Sequence, residues 1–263
     1  LWGMNEWTAR LVPALFGVLG IMAVFGFSLR YLGRRAAFMA SLLLASNFWY
    51  LQVGRYLVID MVFSFFLVAA SFSFYIANAS KEGREKNFYW VFFIFMGLAF
   101  ITKGPVALVV TACSIITYLF VTGRFTQTFA EIKWGRGLIL FGFVAFPWFF
   151  WVAQRQPQFI QLFFGHENWN RVFSSSFEHQ EPWYFYFMVL IPILMPWILF
   201  WRPLKNSWAR SEAVAQCGDP RLFLAISGCV TILFYSLAKA KLATYILPAI
   251  VYFSIPIGYG WSK

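Results

Sequence analysis

The 263 residues are 61% hydrophobic, 22% aromatic and only 12% charged, and their mean hydropathy is +0.67. A soluble domain of this size cannot bury so much apolar surface, so the composition excludes a soluble fold and predicts a membrane protein. The net charge of +11 does not indicate nucleic-acid binding, because the basic residues lie in short segments between apolar runs. The three cysteines form no CxxC pair, which indicates neither a disulfide framework nor a zinc site.

Apolar runs recur along the chain at lengths that suit a membrane, where a spanning helix needs about 20 mostly apolar residues. None of these runs alternates polar and apolar residues, as the strands of a barrel would. We therefore predict an all-α, polytopic bundle of transmembrane helices. The predicted spans are, in chain order, Thr8–Leu29, Ala36–Val53, Leu57–Ala79, Phe88–Thr102, Pro105–Thr122, Gly137–Ala153, Pro182–Trp201, Leu222–Leu237 and Ala243–Tyr259.

Lysine and arginine are distributed unequally between the two sides of this bundle. Fourteen of the 21 basic residues fall in alternate connections, and the positive-inside rule assigns those connections to the cytoplasm. The opposite connections carry the other seven, which are Arg10, Arg55, Lys103, Arg155, Arg171, Lys239 and Lys241. The asymmetry holds at every connection and therefore predicts the orientation of the whole chain.

The longest outer connection covers residues 154–181. Its apolar run Phe159–Phe164 predicts a helix that lies in the membrane interface, and the polar stretch Gly165–Arg171 follows. Both histidines of the chain, His166 and His179, lie in this connection.

Charged residues recur at the outer ends of the predicted spans: Arg55 and Asp60 flank the start of the third, Lys103 ends the fourth, and Lys239 and Lys241 follow the eighth. A charge at this depth is costly unless it is paired or faces water. Outer cations run against the topology bias, so they indicate a local anion; a phosphate fits, since lysine and arginine donate charge-assisted hydrogen bonds to its oxygens. Taken singly, Arg55 and Asp60 could form a structural ion pair, and each lysine could extend to the headgroups.

Four segments, in order and at plausible spacing, resemble the bacterial branch of the dolichyl-phosphate-mannose protein mannosyltransferase superfamily. The resemblance is greatest to the lipid A 4-amino-4-deoxy-L-arabinose transferases, and it extends over essentially the whole chain. The segments are Arg55–Met61, Thr102–Pro105, His179–Tyr186 and Ser236–Pro248. The last segment is the most specific of the four.

The resemblance implies a GT-C type glycosyltransferase of the bacterial inner membrane with its active site in a periplasmic cavity. It implies an inverting displacement at the anomeric carbon of the sugar, with polyprenyl phosphate leaving. Asp60 matches an acidic position that orients or deprotonates the acceptor nucleophile, and Lys103 matches the family's phosphate-binding lysine. The implied partners are a polyprenyl-phosphate-linked sugar, a lipid or protein acceptor and membrane lipids, with no nucleic acid.

Further residues are assigned to the site with less support from the motifs. Arg55, Lys239 and Lys241 are additional candidates for binding the donor phosphate. The residues that we assign to the substrate cavity are Glu167, Arg171, His179 and Tyr245. No metal ligand is assigned, because two histidines and a glutamate in a loop more often bind no metal, although some relatives make a divalent metal plausible. No other cofactor is predicted.

One departure from the family pattern bears on completeness. The family's acidic pair in the first outer loop would precede Leu1, so the chain is predicted to be a fragment that lacks the principal catalytic acid. We predict one transmembrane glycosyltransferase domain over residues 1–263, with an N-terminal span and a C-terminal part missing. Ala243 also stands where the family has proline.

Other functional classes fit the sequence less well. A transporter or lipid flippase would use Asp60 as a proton relay, but it would spread charges through the bilayer depth and repeat its halves. In this sequence the charged residues at the ends of the predicted spans that we assign to the site all lie on the outer face, and the sequence has no internal repeat. The four segments argue against an O-antigen ligase or an oligosaccharyltransferase, and a structural scaffold would not need aligned charges. The sugar, aminoarabinose or a hexose, and the acceptor, lipid A, another glycolipid or a protein, stay open.

Overall fold

The computed structural model describes residues 5–80, 83–163, 165, 181–195, 197 and 219–262, with only the backbone of residues 84 and 85. Its elements in this part of the chain confirm the predicted all-α architecture. The helices are α1 (Glu6–Leu32), α2 (Arg34–Ala45), α3 (Phe48–Val53), α4 (Asp60–Ala79), α5 (Phe88–Lys103), α6 (Pro105–Val121), α7 (Phe125–Glu131), α8 (Trp134–Arg155), α9 (Pro157–Ile160), α10 (Phe185–Ile193), α11 (Pro220–Leu237) and α12 (Leu247–Trp261). Short 3-10 turns at Arg84–Asn87 and Ala243–Ile246 precede α5 and α12.

By length and composition, five helices in the described ranges can cross a membrane. They are α1, α4, α8, α11 and the continuous stretch Ala243–Trp261. The predicted fourth and fifth spans correspond to α5 and α6, which are apolar but only 16 and 17 residues long. Of the predicted seventh span, only residues 182–195 and 197 lie in the described part, and α10 covers the middle of that stretch.

The second predicted span, Ala36–Val53, is not one helix, and the prediction of a continuous span there was wrong. Asn47 separates α2 from α3 and is almost fully buried. Its side-chain oxygen accepts a hydrogen bond from the backbone N–H of Tyr50, and its side-chain nitrogen donates to the carbonyl of Ile193 at 2.7 Å. Asparagine ends a helix here because its short polar side chain caps a new first turn.

Helix α4 forms the centre of the bundle and packs against α1, α5 and α12. In the most apolar stretch of α4, 78% of the residues are buried, whereas the corresponding share in α8 is 17%. Helix α8 therefore presents most of its surface outward. Small residues let helix backbones approach closely, as between α2 and α12, where a Cβ on Gly258 would lie 2.5 Å from the backbone nitrogen of Ala40. The packing of α4 against α1, α5 and α12 fixes the position of its first residue, Asp60.

Helix α9 overlaps the start of the run that is predicted to form an interfacial helix, and the helical backbone continues in a wider turn to Phe163. Phe163 packs against Phe149 of α8, with ring centroids 5.4 Å apart, and Phe159 packs against Trp148 at 5.5 Å. These aromatic contacts hold α9 against the end of α8 that lies near Phe100 of α5.

Candidate functional site

A one-residue reversal between α5 and α6 positions Lys103. Lys103 is the last residue of α5 and Pro105 the first of α6, and only Gly104 separates them. Gly104 has a φ of +65°, which residues with a Cβ rarely adopt. Proline suits the first turn of a helix because its missing N–H would have had no helical partner. The sequence Lys-Gly-Pro therefore holds the lysine at one end of the bundle.

Asp60 lies at the same end because α4 and α5 pack side by side and follow each other through a short connection. It is the first residue of α4, and Lys103 is in the last turn of α5. A carboxylate at a helix N-terminus and a cation at a helix C-terminus each interact favourably with the helix dipole. Local structure thus favours the charge at both positions.

Asp60 and Lys103 form an ion pair in which Nζ donates a hydrogen bond to Oδ1. Their side chains are only 9% and 15% exposed, so separating the two charges would be costly. The Lys103 ammonium also lies 4.2 Å from the centroid of the Tyr245 ring and 5.1 Å from that of Phe63. Both distances are in the range of cation–π attraction. The structure therefore brings together three residues that the sequence singled out: Asp60, Lys103 and Tyr245.

Asp60 does not pair with Arg55, which was the alternative left open by their spacing. Arg55 is exposed and makes no ion pair within the described residues. The segment between α3 and α4 carries exposed side chains at Tyr56 and Leu57 as well, whereas Asp60 is buried against α5. Closeness in sequence therefore does not bring the two charges together.

Lys241 is buried and bound to the backbone, unlike the neighbouring Lys239, which is exposed. Its ammonium donates to the carbonyls of Ala238 at 2.6 Å and Glu181 at 2.8 Å. Burial lowers the pKa of Lys241, and the negative charge of Glu181 partly opposes that shift. The hydrogen bond to Glu181 ties the segment after α11 to the segment before α10.

Two further tyrosines surround this region. The Tyr186 hydroxyl donates to the carbonyl of Leu242 at 3.0 Å, and the ring of Tyr235 lies 5.2 Å from that of Tyr245. The Tyr235 hydroxyl is buried and has no hydrogen-bond partner among the residues that the structure describes. No role is expected from the sequence for Tyr186, Tyr235 or Phe63, because each belongs to an apolar run; only Tyr186, at the end of a motif segment, carries a signal.

Three predicted cavity residues, Glu167, Arg171 and His179, lie outside the described residues, as does His166. Within the described ranges, no group of three or more His, Cys, Asp or Glu side chains is placed to hold a metal ion. The divalent metal considered from the sequence therefore stays a prediction.

The chemistry available at this end of the bundle follows from its charges. A partly accessible ammonium, held between a carboxylate and an aromatic face, can also donate a hydrogen bond to an anionic oxygen. A carboxylate beside it can accept a hydrogen bond from a hydroxyl group. The arrangement suits a reaction in which a phosphate departs while a hydroxyl attacks.

Comparison with known proteins gives a consistent result. The sequence profile of the family described as dolichyl-phosphate-mannose-protein mannosyltransferase matches residues 1–151. The undecaprenyl phosphate-alpha-4-amino-4-deoxy-L-arabinose arabinosyl transferase of Edwardsiella ictaluri is 30% identical over 94% of this chain and 44% of its own length. The protein of the same name from Erwinia tasmaniensis is 29% identical over 100% of this chain and 47% of its own length.

A solved structure has the same fold. The crystal structure of ArnT from Cupriavidus metallidurans bound to undecaprenyl phosphate superposes with a TM-score of 0.87 at 26% identity, covering 100% of this chain and 47% of that one. Its apo form gives a TM-score of 0.86 at 24% identity. The chain thus spans about half the length of the relatives that it matches.

Proposed function

Since the chain belongs to the dolichyl-phosphate-mannose-protein mannosyltransferase family, we propose that it forms the transmembrane catalytic part of a glycosyltransferase that uses a polyprenyl-phosphate-linked sugar. The observation that carries this proposal is the buried Asp60–Lys103 pair beside Tyr245 at one end of the bundle. The names of the relatives and the resemblance to lipid A aminoarabinose transferases favour 4-amino-4-deoxy-L-arabinose as the sugar and lipid A as the acceptor.

Lys103 would bind the phosphate of the donor. In the transfer step a hydroxyl oxygen of the acceptor attacks the anomeric carbon and gives its proton to the Asp60 carboxylate, the bond from that carbon to the phosphate oxygen breaks, and polyprenyl phosphate leaves. Negative charge grows on the leaving oxygen, and an ammonium placed beside it stabilises that charge in the transition state. Asp60 holds the ammonium in place, and the aromatic faces of Tyr245 and Phe63 limit its other orientations.

Asp60 would also contact the acceptor. Its Oδ1 accepts from Lys103, whereas Oδ2 has no hydrogen-bond partner among the described residues. Oδ2 can accept a hydrogen bond from the attacking hydroxyl and orient it. Because the ion pair is at one end of the bundle, the lipid-linked donor and the lipid acceptor can both reach it from the surrounding membrane.

The other predicted cations take different places in this proposal. Arg55 and Lys239 are exposed, so they suit the attraction of anionic lipids to this end of the bundle. Lys241 uses two of its N–H donors on carbonyls, which suits holding the segment before α10 in position. A direct phosphate contact from Lys241 would use its remaining N–H.

The test is a transfer assay on the full-length protein in lipid vesicles. We expect undecaprenyl-phosphate aminoarabinose and lipid A to give lipid A that carries the sugar, as detected by mass spectrometry. A peptide acceptor serves as the control for a protein substrate and should stay unmodified. Movement of the donor lipid from one leaflet to the other without any modified lipid A would contradict the proposal and favour a flippase.

The side of the membrane can be tested separately. In a cysteine-free full-length protein, Arg55→Cys and Lys239→Cys should react with an impermeant maleimide in intact spheroplasts, because the positive-inside rule puts these exposed positions in the periplasm. Arg35→Cys and Arg136→Cys, which are exposed at the opposite end, should react only after permeabilisation. Equal labelling of both pairs in intact spheroplasts would overturn the orientation.

A further inference from the structure

A second polar cavity lies at the opposite end of α5 from Lys103. It has a volume of about 350 Å³ and is lined by residues that include Lys86, Tyr89, Glu131 and Lys133. The residues from Tyr89 to Lys103 rise along the helix by about 20 Å, so this cavity is separate from the Asp60–Lys103 pair. The distribution of lysine and arginine predicts that this end is cytoplasmic.

The polar cavity has an excess of positive charge and an unused hydroxyl donor. The Lys86 ammonium lies 2.5 Å from a carboxylate oxygen of Glu131, while Lys133 adds a second ammonium. Tyr89 is more than nine-tenths buried, and its hydroxyl has no hydrogen-bond partner in the described part of the chain. An unsatisfied buried hydroxyl costs free energy, which an anionic oxygen in the cavity would recover.

An apolar cavity adjoins the polar one. It has a volume of about 270 Å³ and lies between α5, α6 and α8, and Phe125 and Phe129 of α7 also line it. Among the residues that the structure describes, no charged one lines it, and its walls are aromatic and aliphatic except at Met96 and Thr111. The Thr111 hydroxyl is buried without a partner among the described residues, so α6 leaves that group unsatisfied at the cavity wall.

Phe93 lines both cavities and forms the boundary between them. Its ring lies against the backbone of α8 because Gly137 has no side chain: a Cβ there would come within 2.1 Å of the ring. Trp134 lines the apolar cavity and Trp90 the polar one. Tryptophan is enriched at the level of lipid headgroups, so the boundary between the cavities fits the boundary between headgroup and acyl chain.

We propose that the two cavities form one binding site for an anionic phospholipid of the cytoplasmic leaflet. The phosphate lies among Lys86, Tyr89 and Lys133, and one acyl chain lies between α5, α6 and α8. Basic pockets between transmembrane helices on the cytoplasmic side bind anionic headgroups in general, and here the charge excess and the apolar extension occur together. The site does not depend on the proposed transfer reaction.

The test measures lipids that stay bound to the full-length protein in native mass spectrometry. We expect phosphatidylglycerol to be retained at least tenfold more than phosphatidylcholine. The double variant Tyr89→Phe, Lys133→Gln should lose this preference, and Ala112→Phe, which fills the apolar cavity, should lower retention of either lipid. Thermal unfolding in detergent identifies variants that fold.

Matched controls separate the site from general lipid contact. Cys113→Phe adds the same ring to the next residue of α6, which is exposed and does not line the cavity, and it should keep phosphatidylglycerol bound. Arg35→Gln removes an exposed cation at the same end and should also change nothing. Equal retention of the two phospholipids by the unaltered protein, or stronger retention of undecaprenyl phosphate than of phosphatidylglycerol in a Lys103→Met background, would overturn the proposal.

Discussion

Lys103→Met is expected to lower the rate of sugar transfer by about 10²–10³-fold, because removing a group that stabilises developing charge on a departing oxygen typically costs that much. Methionine keeps an unbranched apolar chain between Tyr245 and Phe63, so packing changes little and the ammonium is the main loss. Lys103→Arg should restore part of the rate, since it keeps the charge but presents a planar fork instead of a compact ammonium. Initial rates in lipid vesicles at saturating donor measure the effect.

The same substitution leaves Asp60 buried without its partner, which costs about 3–5 kcal/mol of stability and must be separated from catalysis. The melting temperature of each variant in detergent gives this second readout. Arg10→Met is a matched control, because Arg10 is at the same predicted end of the bundle in an exposed ion pair with Glu6. It should alter neither rate nor melting temperature. A well-folded Lys103→Met protein with an unchanged rate would remove Lys103 from the mechanism.

The positions of Asp60 and Lys103 could be predicted from the sequence, but their pairing could not. Asp60 lies at the start of an apolar run and Lys103 at the end of one, directly before Gly104 and Pro105, so local rules place both at one depth. Their contact, however, joins residues 43 positions apart and depends on the packing of α4 against α5. Arg55 is nearer to Asp60 in the sequence than Lys103 is, but it does not pair with Asp60 in the structure.

The break at Asn47 shows the limit of hydropathy for the fold. One asparagine in a long apolar run barely changes the average, yet its hydrogen bonds to Tyr50 and to the carbonyl of Ile193 end one helix and start another. Lys241 shows the same limit for the site. Its charge could be read from the sequence, but its carbonyl partners come from segments that only the tertiary fold brings together.

Asp60→Asn should lower kcat by about 10²–10⁴-fold if the carboxylate orients or deprotonates the attacking hydroxyl, since general base catalysis contributes that much. The amide keeps the size of the side chain and can still accept a hydrogen bond from Lys103, so the ammonium stays near its position. In this case the KM for the donor changes little. If Asp60 only positions Lys103, kcat should be largely retained as well, because the amide still accepts a hydrogen bond from the ammonium.

The double variant Asp60→Asn, Lys103→Met separates the fold from the reaction, because it removes both buried charges together. Removing a buried pair is tolerated better than removing one partner, so the double variant should melt at a higher temperature than the less stable of the two single variants. It should nevertheless stay inactive, since neither the ammonium nor the carboxylate remains. An Asp60→Asn protein with unaltered kcat would show that the carboxylate takes no part in the chemical step, and the pair would then serve the fold and the donor phosphate alone.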